Sequence, residues 1–293
     1  MGVLDRFQRL PRRLRAHIRA AGGPAHLPAH LIRRTRTRLA GGDRATPPAP
    51  GPATDDAAGE LPPLFFMHIT KTAGGSLKAL LEEELGPDRA TFCNQRFLKD
   101  TVDRETLMRC EVLFGHFLYG VHTWFDLPPR YACFLRDPVD RVISHYYHLR
   151  DVDDRHNGDF VRQFADLDAF VADSRHWELD NFLCRVLTGN GKRQLGFGEV
   201  DEQVFQTAMD NLTQHFEFVG LFERMDESLD LLRQHLGLTR ASLPQVNRGR
   251  YDRAELTPAT LERLRTLNAY DLRLRAAFDR PVLRTGVAVD TAA

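Results

Sequence analysis

The stretch that decides the fold is LFFMHITKTAGGS, residues 64–76. Its first six residues, LFFMHI, are apolar in the continuous way that is typical of a strand covered on both faces of a sheet. A turn of small residues follows, and Ser76 then opens a helical pattern whose apolar face is formed by Leu77, Leu80, Leu81 and Leu85. The stretch therefore predicts a buried strand that passes through a tight turn into a helix, which Gly86-Pro87 ends.

The residues of this turn suit an anionic ligand. The first N–H groups of a helix are unpaired and, together with the helix dipole, attract negative charge. Lys71 adds a positive charge, Thr72 and Ser76 add hydroxyl groups, and Gly74 and Gly75 would let the backbone approach a ligand closely. The alternative interpretation is a glycine-containing strand-to-helix turn in which the lysine occurs by chance.

The turn differs from two common nucleotide-binding motifs. In a Walker A loop the lysine follows the second glycine, whereas Lys71 precedes both glycines. The dinucleotide pattern G-x-G-x-x-G is also missing from this segment. The turn therefore predicts a phosphate-like ligand that is bound by a different kind of loop.

Three further segments repeat the pattern of an apolar strand before a turn or helix: EVLFGH (111–116), YACFLRDP (131–138) and HFEFVGLF (215–222). Helices are expected after the last two, to about Arg150 and over 226–236, and again from Thr257-Pro258. Strands that alternate with helices favour an α/β, P-loop-like single domain with a mostly parallel central sheet flanked by helices.

The domain is expected to span residues 64–281, between segments of different composition. Residues 1–39 form a basic arm with amphipathic spacing, 40–63 are a Pro/Ala/Gly-rich linker, and 282–293 are a flexible tail. Ten arginines and one acid in the first 40 residues give that segment a charge of +9, so the rest of this neutral chain carries −9. The arm is either loosely ordered or docks on an anionic membrane surface or a partner protein.

Composition excludes several classes of protein. A net charge of zero argues against a chain-wide attraction to nucleic acid. No run of 18 apolar residues is present, so no membrane-spanning helix is expected. The four cysteines are far apart and form no CxxC pair, which predicts buried thiols in a reducing, cytoplasmic setting and no metal site.

A second motif, RDPVDRVISHYYHLR, occupies residues 136–150. Arg136 ends a predicted strand, Asp137 can cap the helix that follows, and Pro138 fits the first turn of that helix. Ser144 lies two turns inside the helix. An arginine fork together with a hydroxyl group is a suitable receptor for a phosphate dianion.

In this order, the two motifs resemble the donor-binding motifs of sulfotransferases, in particular the branch of heparan sulfate 2-O-sulfotransferase and related bacterial carbohydrate sulfotransferases. The resemblance implies that the sulfate donor is 3′-phosphoadenosine 5′-phosphosulfate (PAPS) and that no metal is required. It assigns Arg136 and Ser144 to the 3′-phosphate. It assigns the 5′ side of the donor to Lys71, Thr72, Ala73, Gly74, Gly75 and Ser76.

The catalytic base is expected to be His116, at the end of a strand, where open α/β sheets bind their ligands. Histidine suits this task because its pKa is near neutrality; a core histidine is the alternative. The 2-O branch carries H-G-H-x-x-Y at this position, and here Phe114 replaces the first histidine while His116 and Tyr119 match. Lys71 is expected to grip the donor and to stabilise the leaving oxygen as well.

The remaining resemblances are weaker, and each has a structural alternative. Arg248 and Arg250 match a late basic loop near the donor, although surface arginines would look the same. Contact with the acceptor is implied for four residues: His68, Tyr119, Asn181 and Arg185. His68 is equally well an ordinary strand residue. Asn181 and Arg185 would otherwise be polar residues of a buried helix.

The expected function is transfer of a sulfuryl group from PAPS to a hydroxyl acceptor, first of all a carbohydrate or glycolipid. Another small hydroxyl metabolite or a protein tyrosine is the alternative, because acceptor pockets are built from variable loops. Two other classes remain open at this point. These are a nucleotide kinase with a similar loop, and a non-catalytic adaptor that acts through the basic arm at a membrane or partner.

Overall fold

The computed structural model describes residues 61–151, 157–191, 194–240, 242–244 and 256–284. The chain divides into two units, Met1–Glu60 and Leu61–Ala293, and all described residues belong to the second. The predicted arm and nearly all of the predicted linker therefore lie outside the described residues. Among the described residues, no helix has the length and apolar composition needed to cross a membrane.

The second unit is built on a six-stranded sheet in the order β2-β3-β1-β4-β5-β6. Its strands are β1 (Leu64–Met67), β2 (Ala90–Phe92), β3 (Val112–Gly115), β4 (Tyr131–Leu135), β5 (Phe216–Leu221) and β6 (Val282–Leu283). The pairs among the first five strands are parallel, and β6 pairs antiparallel with β5. The mostly parallel sheet predicted from the sequence is therefore confirmed.

Two of these strands were not predicted, and one corrects a boundary. β2 has three residues and β6 has two, so neither shows the apolar run by which the longer strands are recognised. Val282 and Leu283 pair with Val219 and Phe218 of β5. The predicted flexible tail at 282–293 therefore begins too early, because its first residues belong to the sheet.

Helices connect and cover the strands. Before β5 they are α1 (Gly74–Arg89), α2 (Gln95–Thr101), α3 (Arg104–Met108), α4 (Pro138–Asp151), α5 (Asn157–Val161), α6 (Leu167–Asp173), α7 (Phe182–Leu187) and α8 (Glu202–Gln214). After β5 they are α9 (Met225–Leu236), α10 (Pro258–Leu267) and α11 (Ala269–Ala276). Short 3₁₀ turns occupy Val121–Phe125, Trp177–Leu179 and Phe222–Arg224.

The two faces of the sheet bury separate cores. Leu64 and Phe66 point to one face, where they join the leucines of α1 and α9. Phe65 and Met67 point to the other face and join residues of α7, α8 and α11. This alternation along a strand with both faces buried explains why its sequence is apolar throughout. A third cluster, among α4, α5, α6 and α10, lies beside the sheet.

All four cysteines are unpaired thiols. Cys110, Cys133 and Cys184 are buried, in agreement with the prediction that apolar surroundings enclose them, and burial raises the pKa of each of these thiols. Cys93 is half-buried.

A buried carboxylate fixes the start of α7. Asn181, before the helix, has a left-handed backbone with φ of 44°, and its own side chain does not cap the helix. Instead Asp271, on α11, accepts hydrogen bonds from the N–H groups of Leu183 at 2.7 Å and Cys184 at 2.9 Å. Asp271 is completely buried, so these two N–H groups have no water as a substitute.

Replacing Asp271 is expected to destabilise the domain. Asp271→Ala leaves two buried N–H groups without an acceptor, which should lower the free energy of unfolding by about 2–4 kcal/mol. Urea denaturation followed by circular dichroism measures the change. Asp279→Ala, at an exposed aspartate after the same helix, is the control and should change stability by less than about 0.5 kcal/mol. Equal stability of the two variants would show that Asp271 does not fix α7.

Candidate active site

The loop between β1 and α1 has an unusual backbone. Lys71 and Ala73 both have positive φ, 69° and 66°, and these are the left-handed conformations that L-residues adopt at a cost. Left-handed residues that alternate with right-handed ones turn successive N–H groups toward one concave side, where an anion can bind. Ala73 precedes α1, and no side chain caps the helix at that position. The loop therefore has the backbone form of an anion site.

Thr72 contributes to this loop in a different way from the one predicted. Its side chain is buried, and its hydroxyl donates a hydrogen bond to the carbonyl of Ile69 at 2.8 Å. The hydroxyl thus holds the loop closed, and the backbone N–H is the group that Thr72 has left for a ligand. Gly75 is exposed and Ser76 half-buried on the first turn of α1.

Gly74 is also explained by the protein itself. A Cβ atom on Gly74 would lie 1.6 Å from Nε2 of His68, which is inside the imidazole ring. The space that a side chain would take at the start of α1 is therefore filled by His68. Close approach of a ligand, the reason expected from the sequence, is not needed to explain this glycine.

Arg136 brings a second cation to the loop. It follows β4 and donates a hydrogen bond from Nη1 to the carbonyl of Lys71 at 2.9 Å. Its guanidinium also lies over the ring of Phe222, 4.2 Å from the centroid. Burial and the positive charge of Arg136 both lower the pKa of Lys71. Within the part of the chain that the structure describes, Lys71 forms no ion pair with a carboxylate, and the neighbouring positive charge of Arg136 makes an anion at this position favourable.

His116 stands at the end of β3, beside this loop. Its Nδ1 lies 2.9 Å from the carbonyl oxygen of His68. Because a carbonyl oxygen can only accept, Nδ1 carries the proton, and the lone pair of the neutral ring is on Nε2. Part of the residue is exposed at the surface, although the groups packed around its ring, such as His68, desolvate the imidazole. Its orientation is therefore that of a general base whose free nitrogen can take a proton.

The surroundings of His116 keep the ring neutral. Desolvation lowers its pKa below the ordinary value of 6.5, and this effect exceeds the opposing effects of the hydrogen bond to His68 and the negative charge of Glu178. Gly115 lets the backbone at Cys93 pass close by, since a Cβ on residue 115 would lie 1.7 Å from the carbonyl oxygen of Cys93. Gln95, two residues after Cys93, donates its N–H to the carbonyl of His116 at 2.9 Å.

A buried carboxylate that sequence reasoning missed lies behind the loop. Oε2 of Glu178 accepts hydrogen bonds from the hydroxyl of Thr70 at 3.0 Å and from Nη1 of Arg141 at 3.3 Å. Nε2 of His145 is 3.1 Å from the same oxygen. Burial alone would raise the pKa of Glu178, but His145 and Arg141 hold it well below its usual range.

Glu178 thus steadies Thr70, the residue before Lys71, with a permanent negative charge. It also gives Arg141 a structural, ion-paired role. The sequence offered little signal for this group, because Glu178 lies in a short 3₁₀ turn between two recognisable helices.

Two residues predicted to contact the acceptor are engaged inside the protein instead. Arg185 is completely buried, and its guanidinium donates to the carbonyls of Asp180, Leu195 and Gly196. Asn181 is buried as well, and its side-chain oxygen accepts the N–H groups of Tyr270 and Asp271. Their match to the family pattern therefore reflects a buried helix with satisfied polar groups, which was the alternative.

Tyr119 lies away from the loop. Its hydroxyl is 2.5 Å from Nδ1 of His215, the residue before β5, and its ring packs against Tyr131, the first residue of β4. Both neighbours stand at the amino ends of their strands, whereas the loop and His116 follow the carboxyl ends of theirs. The structure therefore does not bring Tyr119 to the candidate site.

The remaining predicted residues divide between the described and undescribed parts of the chain. Ser144 is on the buried side of α4, and contact of its hydroxyl with a 3′-phosphate stays a prediction. Arg248 and Arg250 lie outside the described residues. Over the described ranges, no group of three or more His, Cys, Asp or Glu residues is arranged to hold a metal ion.

Comparison with protein families gives one match, to the model described as the sulfotransferase family, over residues 60–274. No curated protein matches the chain. The matched residues run from β1 into α11 and contain the loop with Lys71, Arg136 after β4, and His116. Because the match extends over well more than half of the sequence, the chain belongs to the sulfotransferase family.

Proposed function

We propose that this sulfotransferase transfers the sulfuryl group of PAPS to a hydroxyl acceptor, with His116 as the general base. The observation that carries the proposal is the tethered ring of His116. Its Nδ1 is committed to the carbonyl of His68, so its basic nitrogen is Nε2, on an exposed residue at the edge of the sheet where the anion loop begins. A base beside an anion site is the arrangement that sulfuryl transfer to an alcohol requires.

The described residues fit the charges of such a donor. The 5′-phosphosulfate suits the left-handed backbone at Lys71 and Ala73, the uncapped start of α1 and the ammonium of Lys71. Thr72, Gly74, Gly75 and Ser76 would contribute backbone N–H groups. Arg136 and Ser144 are proposed to hold the 3′-phosphate, and Arg248 and Arg250 to close on the nucleotide.

The chemical step is a displacement at sulfur. When bound, the donor supplies the sulfuryl group and leaves as 3′-phosphoadenosine 5′-phosphate. The acceptor oxygen forms a bond to sulfur while the bond from sulfur to the 5′-phosphate oxygen breaks. His116 accepts the hydroxyl proton on Nε2 and becomes an imidazolium. Lys71 stabilises the negative charge that develops on the leaving phosphate oxygen.

The acceptor is proposed to be a carbohydrate or a glycolipid. This rests on the resemblance of the two donor motifs to those of glycan sulfotransferases. Residues 41–293, the body of the chain, carry nine excess negative charges. This argues against a heavily sulfated polymer as the acceptor, since like charges repel. Another small hydroxyl metabolite or a protein tyrosine is the alternative acceptor.

The proposed cellular setting is the cytoplasm, where the four free thiols stay reduced. The basic residues 1–39 are proposed to make peripheral contact with the inner face of a membrane, which would suit a lipid-linked acceptor. Membership of the sulfotransferase family favours this enzyme over a nucleotide kinase and over a non-catalytic adaptor.

Removing the base should slow turnover strongly and spare donor binding. His116→Ala is expected to lower kcat by about 10²- to 10⁴-fold, because nothing then accepts the hydroxyl proton. The acceptor for this assay comes from a screen of hydroxyl compounds with labelled PAPS. Affinity for 3′-phosphoadenosine 5′-phosphate, measured by calorimetry, should stay within about twofold.

His148→Ala is the matched control, since His148 is an exposed histidine on α4. It should keep both kcat and nucleotide affinity. Full turnover by His116→Ala would show that another group is the base.

The rate should fall on the acid side at an unusually low pH. The neutral ring of His116 is the active form, and desolvation lowers its pKa below 6.5. A lowered pKa keeps the ring neutral at more acidic pH, so the midpoint of the acid limb of kcat/KM is expected below 6.5. The measurement is a profile from about pH 5 to pH 8. A midpoint above 6.5 would contradict the assignment.

Removing either cation should weaken nucleotide binding. Lys71→Ala and Arg136→Ala are each expected to reduce affinity for 3′-phosphoadenosine 5′-phosphate by about 10- to 100-fold, since each removes a charge-assisted contact to phosphate. Calorimetry with the free nucleotide measures this without an acceptor.

The control for the loss of charge is Lys78→Ala, at an exposed lysine on α1 that pairs with Glu82. This variant should bind the nucleotide like the wild type. Unchanged affinity in both Lys71→Ala and Arg136→Ala would rule out the donor site as a whole.

A further inference from the structure

His68 contacts both parts of the candidate site, His116 and the start of α1 after the anion loop. It directly follows β1, and its N–H donates to the carbonyl of Gly115 at 2.8 Å, which extends the pairing of β1 with β3 by one step. Its own carbonyl accepts from Nδ1 of His116 at 2.9 Å. The backbone of His68 therefore sets the tautomer of the base.

The imidazole ring of His68 is held between three neighbours. Its centroid is 4.1 Å from that of His116, with 28° between the planes, and 5.3 Å from that of Phe114, with 25° between the planes. Its Nε2 occupies the position where a side chain of Gly74 would begin. The ring thus lies between His116, the proposed base, and Gly74, the first residue of the helix that follows the donor loop.

The charge of His68 fits this position. Burial lowers its pKa well below 6.5, and the nearby His116 and Lys71 lower it further. The ring is therefore neutral at working pH. A neutral aromatic face beside His116 can tolerate the imidazolium that forms when the base takes its proton, whereas a second cation at this distance would oppose it.

From these contacts we infer that His68 is a positioning residue: its ring fixes the plane of the His116 imidazole against the donor loop, and Gly74 is a glycine because that ring needs its space. The inference rests on the proposed role of His116 as the base. It replaces the acceptor contact that the sequence suggested for His68, because the ring is stacked within the protein.

A double-mutant cycle separates this role from a role of Gly74 in ligand binding. Gly74→Ala alone should displace the His68 ring and with it His116, which is expected to lower kcat by about 10- to 100-fold. His68→Ala alone should lower kcat to a similar extent, with affinity for 3′-phosphoadenosine 5′-phosphate within about twofold of the wild type. In the His68→Ala background the methyl group fits the vacated space, so adding Gly74→Ala should cause no further loss.

Additive losses in the double variant would overturn the inference, as would a loss of nucleotide affinity from Gly74→Ala in both backgrounds. Those results would mean that residue 74 is a glycine because a ligand approaches it, and not because the His68 ring needs the space. Full turnover by His68→Ala would overturn it too.

A measurement on the free protein keeps the inference separate from the proposed reaction. Nitrogen NMR of ¹⁵N-histidine-labelled protein, without donor or acceptor, reports the tautomer and pKa of His116. The wild type should show a proton on Nδ1 and a pKa below 6.5. In His68→Ala, the pKa of His116 should rise toward 6.5, because a covering ring is gone.

The NMR result also distinguishes positioning from a simple structural role. The backbone carbonyl that sets the tautomer remains in His68→Ala, so the pKa is the informative quantity. If His68→Ala lowered only the melting temperature and left the pKa of His116 unchanged, His68 would be a packing residue and the inference would be wrong. If the wild type transferred no sulfate to any acceptor but gave the expected NMR changes, the proposed function would fail while the coupling of His68 to His116 stood.

Discussion

The register between β1 and β3 is the constraint on which the site depends. Met67 stands opposite Gly115, so the next residues, His68 and His116, emerge side by side from parallel strands. The hydrogen bond from Nδ1 of His116 to the carbonyl of His68 is the direct result. A shift of one residue would break this bond and also turn Phe66 and Met67 toward the opposite faces of the sheet. Core packing therefore protects the geometry of the proposed base, His116.

The charges of the site are few and individually placed. The body of the chain carries an excess of nine negative charges, so no general positive field draws a polyanionic donor toward it. Lys71 and Arg136 meet at the carboxyl-terminal edge of the parallel strands, where Arg136 donates to the carbonyl of Lys71. Behind them the ionised Glu178 binds Thr70 and Arg141. The contacts of this carboxylate are with Thr70, Arg141 and His145, so it steadies the backbone of the loop from within the protein.

Sequence reasoning reached the elements that have a strong local signal. The strands at 64, 112, 131 and 216 were predicted because each is buried on both faces and so reads as an apolar run. β2 and β6 were missed since their pairing is decided by neighbouring strands. The loop and His116 were found from the order of residue types. The directions of side chains were not: that Thr72 turns inward, that Arg185 is buried and that His68 fills the space at Gly74 all depend on residues distant in the chain.

The short strand β6 has a consequence for the sheet as a whole. It covers the outer side of β5, and Arg284 reinforces the closure by donating to the carbonyls of Glu217, Leu212 and Phe216. An uncovered edge strand offers its free N–H and C=O groups to other chains and so promotes aggregation. The family match ends at residue 274, before β6 begins. A domain cut at that point would keep every proposed donor contact and yet expose β5, so its solubility would suffer before its chemistry did.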